Sequence, residues 1–459
     1  MMKNLTIENI TKVTGGEYYG SDEIVDIEVT AITTDSREAV PGCLFVPIVG
    51  ERVDGHRFIP QVLEAGALVV LTEKDPAETE KPCIHVESTL QAVKDIAAFY
   101  LEQLDIPVVG VTGSVGKTST KEAIAAVLSE KYNTLKTLGN FNNELGLPLT
   151  IFRLREEHEI AVLEMGISNF GEMSRLAAIA RPDTGVITNI GNAHLEFLGD
   201  RDGVFRAKTE MINYIQPDGR VVVNGDDDKL IHVQGQRGIE PVFFGLDPSQ
   251  DVYADGIESH GLRGTDCVIH IGDESFKVHI PIPGKHMVYN ALAAAAVGRI
   301  YGLSDDEITR GIGNLESMRG RFRMIETADY LVVDDSYNAS PASMKASMDI
   351  MKDADGRKVA VLGDMGELGK DEKEMHREVG RYASSSGIDL LICTGTLSRE
   401  MAEAALACRD NPTMVVVWEP DRESLLAHIE NYLKKGDTVL VKASHFMHFE
   451  QVVDLLTGV

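Results

Sequence analysis

From Val108 onward, short apolar runs alternate with longer stretches whose apolar residues recur at helical spacing. Val108–Thr112, Ile160–Leu163, Gly185–Asn189 and Arg220–Val223 read as buried strands, with helices beginning at Lys117 and running over Met173–Ala180 and Arg201–Ile215. That order predicts a mostly parallel sheet whose ligands gather at the carboxyl ends of the strands. Cys267–Ile271 and Phe276–Ile282 alternate with period two and read as antiparallel strands added at an edge. A helix from His286 to Tyr301 stops at Gly302, and Ser304–Glu307 caps another. A second strand–helix series begins near Gly320, with strands at Tyr330–Val333, Val359–Leu362, Leu390–Thr394, Met414–Trp418 and Thr438–Lys442. Its first crossover ends with Ser340 as helix cap and Pro341 at the first helical position. Before Val108 the pattern is short strands, turns and two helices, one over Phe58–Ala65 and one opened by a capping box at Ser88–Gln91.

A chain of 459 residues exceeds what one hydrophobic core serves. The expected architecture is α/β in three domains, 1–104, 105–318 and 319–459, with Asp105–Pro107 as a linker. The formal charge of −28 argues against a general nucleic-acid binder, so an anionic ligand has to be held locally. Five cysteines, Cys43, Cys83, Cys267, Cys393 and Cys408, never form a C-x-x-C pair and read as reduced packing residues. The polar start and the lack of a membrane-length apolar run place the protein in the cytoplasm, without stable membrane insertion.

The chemistry centres on Thr112-Gly113-Ser114-Val115-Gly116-Lys117-Thr118, between the strand at Val108 and the following helix. Glycine-freed backbone N–H groups, the helix N-terminus, a lysine and a hydroxyl suited to magnesium make a phosphate cradle. The common G-x-x-x-x-G-K spacing would need glycine at Val111, whereas Gly110 lies one residue too early. Glu164, after an apolar strand, suits a magnesium ion shared with Thr118 and phosphate oxygens. His194 reads as a packed histidine, with metal contact as the alternative. Lys208 lies on the stripe of Val204, Met211 and Ile215, where a lysine ordinarily snorkels to solvent; held inside, its amine could take up carbon dioxide. Asp226–Asp228 read as a solvated turn. Asn140, Asn142 and Asn143 divide evenly between turn chemistry and substrate contact.

Taken together, Thr112–Thr118, Gly139-Asn-Phe-Asn-Asn143, Glu164-Met-Gly166, Asn189–His194, Ala207–Glu210 and Pro283–His286 resemble the Mur ligases of peptidoglycan synthesis. Asp334–Pro341 is similar to the third-domain motif of the family member that adds D-alanyl-D-alanine. Asp35-Ser36-Arg37, Pro41–Phe45 and Asp54-Gly55-His56 match the family's first domain. The resemblance implies a small N-terminal substrate domain, a central P-loop ATPase domain and a C-terminal Rossmann-like domain. It implies ATP-dependent joining of UDP-N-acetylmuramoyl-tripeptide to D-alanyl-D-alanine through an acyl phosphate. By the same likeness, Thr112–Thr118 hold ATP with Lys117 on the β- and γ-phosphates, and Asn290 meets adenine. Arg321 and Asp335 meet phosphate and ribose, and Ser36, Arg37 and Asn143 contact the acceptor. Thr118, Glu164 and His194 would hold two magnesium ions, with Lys208 carbamylated by carbon dioxide beside them, and the expected state is a monomer.

Two departures stand out. Met287 follows the histidine of the adenine motif where many relatives carry asparagine, and Lys442–His448 replaces a common Lys-Gly-Ser-Arg. The competing functions are a sister ligase that adds a single amino acid and a P-loop switch or kinase. Ser336–Ser340 argues against the sister ligase.

Overall fold

The computed structural model describes residues 1–50, 53–235, 238–408 and 411–458. The chain forms two compact units, Met1–Tyr253 with Asn290–Gly311, and Ala254–Tyr289 with Ile312–Val459.

The first unit holds two sheets. In the N-terminal one, Glu17–Tyr19, Cys83–His85, Val69–Thr72, Leu44–Phe45 and Ile32–Thr33 lie side by side in that order, and only the first pairs antiparallel. The sequence pattern suggests two helices here, yet a further one spans Ile7–Thr14. Thr6 caps it by accepting from Asn9 N, and Gly15 ends it at φ 60°. Ser88 does cap Thr89–Leu104 through Gln91 N, but the Gln91 side chain donates to Asp95 instead, so the capping box is not reciprocal.

The larger sheet runs Thr134–Lys136, Ile160–Glu164, Val108–Thr112, Thr184–Ile187, Arg220–Asn224 and Pro241–Gly245, all parallel. Its central strands, Ile160–Glu164, Val108–Thr112 and Thr184–Ile187, are wholly buried, which is why they read as continuous apolar runs. Gly110 belongs to this packing and not to the phosphate loop, since a Cβ there would lie 2.4 Å from Met165 Cε. The expected helix Arg201–Ile215 is α-helical only to Thr209. It tightens into a 3₁₀ turn over Glu210–Tyr214 ahead of Pro217, whose ring disfavours a helical residue before it.

In the second unit, Thr265–Ile271 and Glu274–Ile280 form the expected antiparallel pair. The remaining sheet runs Arg323–Glu326, Tyr330–Asp334, Asp437–Lys442, Lys358–Gly363, Leu390–Thr394 and Val415–Glu419, parallel except at its first strand. Ser340 caps the helix Pro341–Met351 in a reciprocal box with Ser343, and Pro341 opens that helix. Among the described residues, no helix is long and apolar enough to cross a membrane.

Candidate functional site

The glycine loop is tied to the neighbouring strand end by a dense set of hydrogen bonds. Ser114 N donates to Asn189 O at 3.0 Å and Val115 N to Asn189 Oδ1 at 2.9 Å. Val115 O accepts from Thr188 Oγ1 at 2.7 Å and Asn189 Nδ2 at 2.8 Å, and Ser114 Oγ accepts from Gly191 N at 2.8 Å. Gly113 allows this approach, because a Cβ on it would lie 1.9 Å from Thr188 Oγ1. Gly116, at φ 82°, heads the helix Lys117–Leu128, which no side chain caps, so its N-terminal donors suit an anion. Lys117 Nζ folds back onto the loop and donates to Gly113 O at 3.0 Å and Ser114 O at 3.4 Å.

Beside the loop, Glu164 ends its strand 1% exposed. Its Oε1 accepts from Asn142 Nδ2 at 2.8 Å and Thr118 Oγ1 at 3.3 Å, while Oε2 is buried with no hydrogen-bond partner. An unpartnered buried carboxylate oxygen is costly, and a hard cation satisfies it. Glu164 and Thr118 therefore fit magnesium, which binds through one or two protein oxygens and completes its shell with phosphate and water. No group of three or more His, Cys, Asp or Glu able to hold a metal occurs among the described residues. Asn142 and Thr137, whose Oγ1 accepts from Glu164 N at 3.0 Å, complete the setting. Asn142 is one of the asparagines the sequence leaves between turn chemistry and substrate contact, and here its side chain serves Glu164; Thr137 carries no sequence signal.

Lys208 overturns the snorkelling expectation. The residue is 1% exposed, between the buried Val204 and Met211. Burial, and then the positive charge on Lys117, push its pKa from the ordinary lysine value down to about 7. His194 is half-buried, in a left-handed conformation at φ 57°, and heads the short helix Leu195–Leu198. Asn290, on the helix Lys285–Ile300, is 6% exposed and accepts from Thr120 Oγ1 at 2.9 Å, which holds it against the helix that leaves the glycine loop. Thr112 Oγ1 donates to Met165 O at 2.8 Å and joins the loop's strand to the segment after Glu164.

The other expected contacts have local partners. Asp35 caps the turn at Ser36–Glu38, and Arg37 forms a fork with its carboxylate, which the guanidinium lowers to about 2. Ser36 is half-buried on that turn. Asn143 Oδ1 accepts from Gly146 N at 2.7 Å and Leu145 N at 3.2 Å, so its carbonyl serves turn chemistry. The Asp226–Asp228 turn is structural: Asp227 accepts from Ile190 N, Lys229 N and Leu230 N, and Asp228 pairs with Arg201. In the second unit, Asp335 Oδ2 accepts from Lys442 Nζ and Ser347 Oγ, each at 2.6 Å, and Oδ1 from Phe322 N at 3.2 Å. Arg321 lies with its guanidinium 4.2 Å from the Tyr337 ring centroid.

Three family models match the chain in succession: the Mur ligase family catalytic domain over residues 28–101, the Mur ligase middle domain over 111–298, and the Mur ligase, glutamate ligase domain over 320–445. A Bacillus subtilis protein named UDP-N-acetylmuramoyl-tripeptide--D-alanyl-D-alanine ligase is 38% identical, with 98% of this chain and 97% of the relative covered. The chain belongs to the Mur ligase family. The Escherichia coli protein of the same name is 35% identical over 99% of each chain. Among solved structures, a Mur ligase described as MurF from Acinetobacter baumannii superposes with a TM-score of 0.89 at 33% identity over 98% of each chain. MurF ligase from Thermotoga maritima in complex with ADP gives 0.81 at 32% identity, covering 93% of this chain and 96% of the other. The three-domain α/β architecture, with mixed parallel and antiparallel sheets, is thus that of the Mur ligases, and use of ATP and magnesium is consistent with the family.

Proposed function

We propose that this protein is an ATP-dependent amide ligase that joins D-alanyl-D-alanine to UDP-N-acetylmuramoyl-tripeptide in peptidoglycan precursor synthesis. The observation that carries the reading is the likeness, along nearly their whole length, to proteins named as that ligase, and Glu164 Oε2, buried and unpartnered beside Thr118, supports the magnesium-dependent part of it. A carboxylate is a poor electrophile. The tripeptide carboxylate oxygen therefore attacks the γ-phosphorus of ATP, ADP leaves, and the resulting acyl phosphate accepts the dipeptide amine; the tetrahedral intermediate then expels phosphate as the nitrogen loses a proton.

Thr118 and Glu164 would hold one magnesium ion and His194 would support a second, supplying charge neutralisation between the two anionic reactants. Lys117 leaves its two loop carbonyls to meet the β- and γ-phosphates, and the helix N-terminus orients the triphosphate. Lys208, whose burial eases loss of its proton, would take up carbon dioxide as a carbamate, releasing a proton. Such an anion would offset the positive charge of Lys117 and help hold a cation. Asn290 contacts adenine, Arg321 and Asp335 contact phosphate and ribose, and Ser36, Arg37 and Asn143 contact the acceptor.

The domains are 1–104 for the UDP substrate, 105–318 for ATP and 319–459 for the ligase step, in a cytoplasmic monomer. Phosphate release with each substrate alone and with both together tests the reading. Release that requires tripeptide and dipeptide together is the expected result, and release independent of the dipeptide overturns it.

A further inference from the structure

The helix that leaves the glycine loop carries a second lysine one turn after Lys117, in a very different setting. Lys121 is fully buried. Its Nζ donates to Thr137 O at 2.6 Å and pairs with Glu122 Oε1 at 2.7 Å. Burying an ammonium is unfavourable, and a like charge four residues earlier on the same helix face adds to that. A lysine so enclosed and doubly committed does not reach a phosphate. What it holds is the end of a strand.

Thr134–Lys136 is the edge strand of the larger sheet, three residues long, and runs beside Ile160–Glu164. An edge strand this short is weakly held by its ladder alone. The next residue, Thr137, is buried, and its N donates to Val162 O at 3.0 Å. Glu164 N then donates to Thr137 Oγ1 at 3.0 Å, a side chain in place of a ladder carbonyl. The carboxylate that fits magnesium is thus seated on Thr137. The loop that starts there returns Asn142 to the same carboxylate: Gly166 N donates to Asn142 O and Asn142 Nδ2 to Glu164 Oε1, each at 2.8 Å. Thr137 O, at the root of both contacts, is the atom that Lys121 holds.

We propose that Lys121 is a positioning residue for Glu164. It fixes Thr137 and the root of the Asn142 loop against the glycine-loop helix, so that the carboxylate offered to the cation and the helix end offered to the phosphates keep one spacing. A packing role alone would be served by an apolar side chain, like those of Ile124, Val127 and Leu128 further along the same helix. The ammonium adds a directed bond from that helix to the one carbonyl on which the Glu164 setting hangs.

The proposal rests on the reading of Thr118 and Glu164 as a magnesium pair, and calorimetric titration of ADP, in EDTA and in saturating magnesium, separates the two. The quantity read is the factor by which magnesium tightens ADP binding. Wild type should show such a factor and E164Q should lose it. K121M strands no charge, because Glu122 keeps Lys136 as a partner. Its ADP affinity in EDTA should hold, since the cradle's own donors are untouched, while its magnesium factor falls about tenfold, as for other contacts that orient a metal ligand. T137V removes the hydroxyl that seats Glu164 and should fall as far, whereas T137S should not. The K121M/T137V double variant should lose no more than the larger single one, because the two residues act in series. A magnesium factor undiminished in K121M overturns the proposal, including the case of a merely structural lysine, in which both affinities fall together. If K121M does not fold, T137V decides, and an undiminished factor there overturns the proposal equally. A wild type with no magnesium factor overturns the magnesium pair itself.

Discussion

Asn142 Nδ2 donates to Glu164 Oε1 at 2.8 Å and so turns the carboxylate that offers its other oxygen to a cation. Replacing Asn142 with alanine should leave Glu164 free to rotate. Such orienting contacts typically matter by about ten- to a hundredfold in metal affinity or activity. A magnesium titration of phosphate release should show a half-saturation shifted upward in N142A, with little change in thermal stability. An unshifted titration would remove Asn142 from the metal's surroundings.

Gly113 has no room for a side chain. Alanine there must displace the Thr188 hydroxyl, which would lie 1.9 Å from the added Cβ, and break its bond to Val115 O. The expected cost is about 1–3 kcal/mol of stability together with a raised ATP KM. G113A/T188A relieves the closest contact and should recover part of the stability in urea denaturation. Equal midpoints for G113A and wild type would contradict the geometry.

Lys208 sets a pH signature. Its folded pKa of about 7 lies below that of an unfolded lysine, about 10.4. Between those values the unfolded chain binds the extra proton, so stability rises with pH across that window, and the destabilisation is complete below about pH 7. K208M should flatten the rise in melting temperature over this window relative to wild type. Carbon-13 bicarbonate should give a carbamate signal in the wild type that K208R lacks, and a signal that persists in K208R would assign it to another amine.

Lys442 and Asp335 form a nearly buried pair, 3% and 13% exposed at their side chains. K442M strands the Asp335 charge, which for buried pairs costs about 3–5 kcal/mol. Chemical denaturation monitored at Trp418 should register that loss, and D335N/K442M should lose less than K442M alone.

Thiol labelling follows burial. Cys43, Cys83, Cys267 and Cys393 are buried, and burial raises the Cys267 thiol to about 11 and that of Cys393 higher still. Cys408 is half-exposed and should label first in native protein, with the other four reacting only on unfolding.

The parallel sheets were legible because buried strands are written as unbroken apolar runs, and the glycine loop because strand, turn and helix surround it. The helix Ile7–Thr14 is signalled by Thr6 and Gly15, but at eight residues its stripe is too short to compel assignment. Lys208 misleads for a different reason: the apolar stripe that suggests snorkelling is the same one that buries it. The sequence singles out Asn142 but not its pairing with Glu164, and Thr188 escapes sequence reasoning altogether, because both roles depend on which strand ends lie adjacent and periodicity carries no information about that.

The clamp of Thr188, Asn189 and Gly191 on the glycine loop bears on turnover. A cradle held this firmly cannot tell the arriving triphosphate from the departing diphosphate by changing shape. With ATP in the loop as proposed, ADP would meet the same backbone donors, and the scaffold alone would favour product inhibition. Discrimination then falls on the groups that feel only the terminal phosphate.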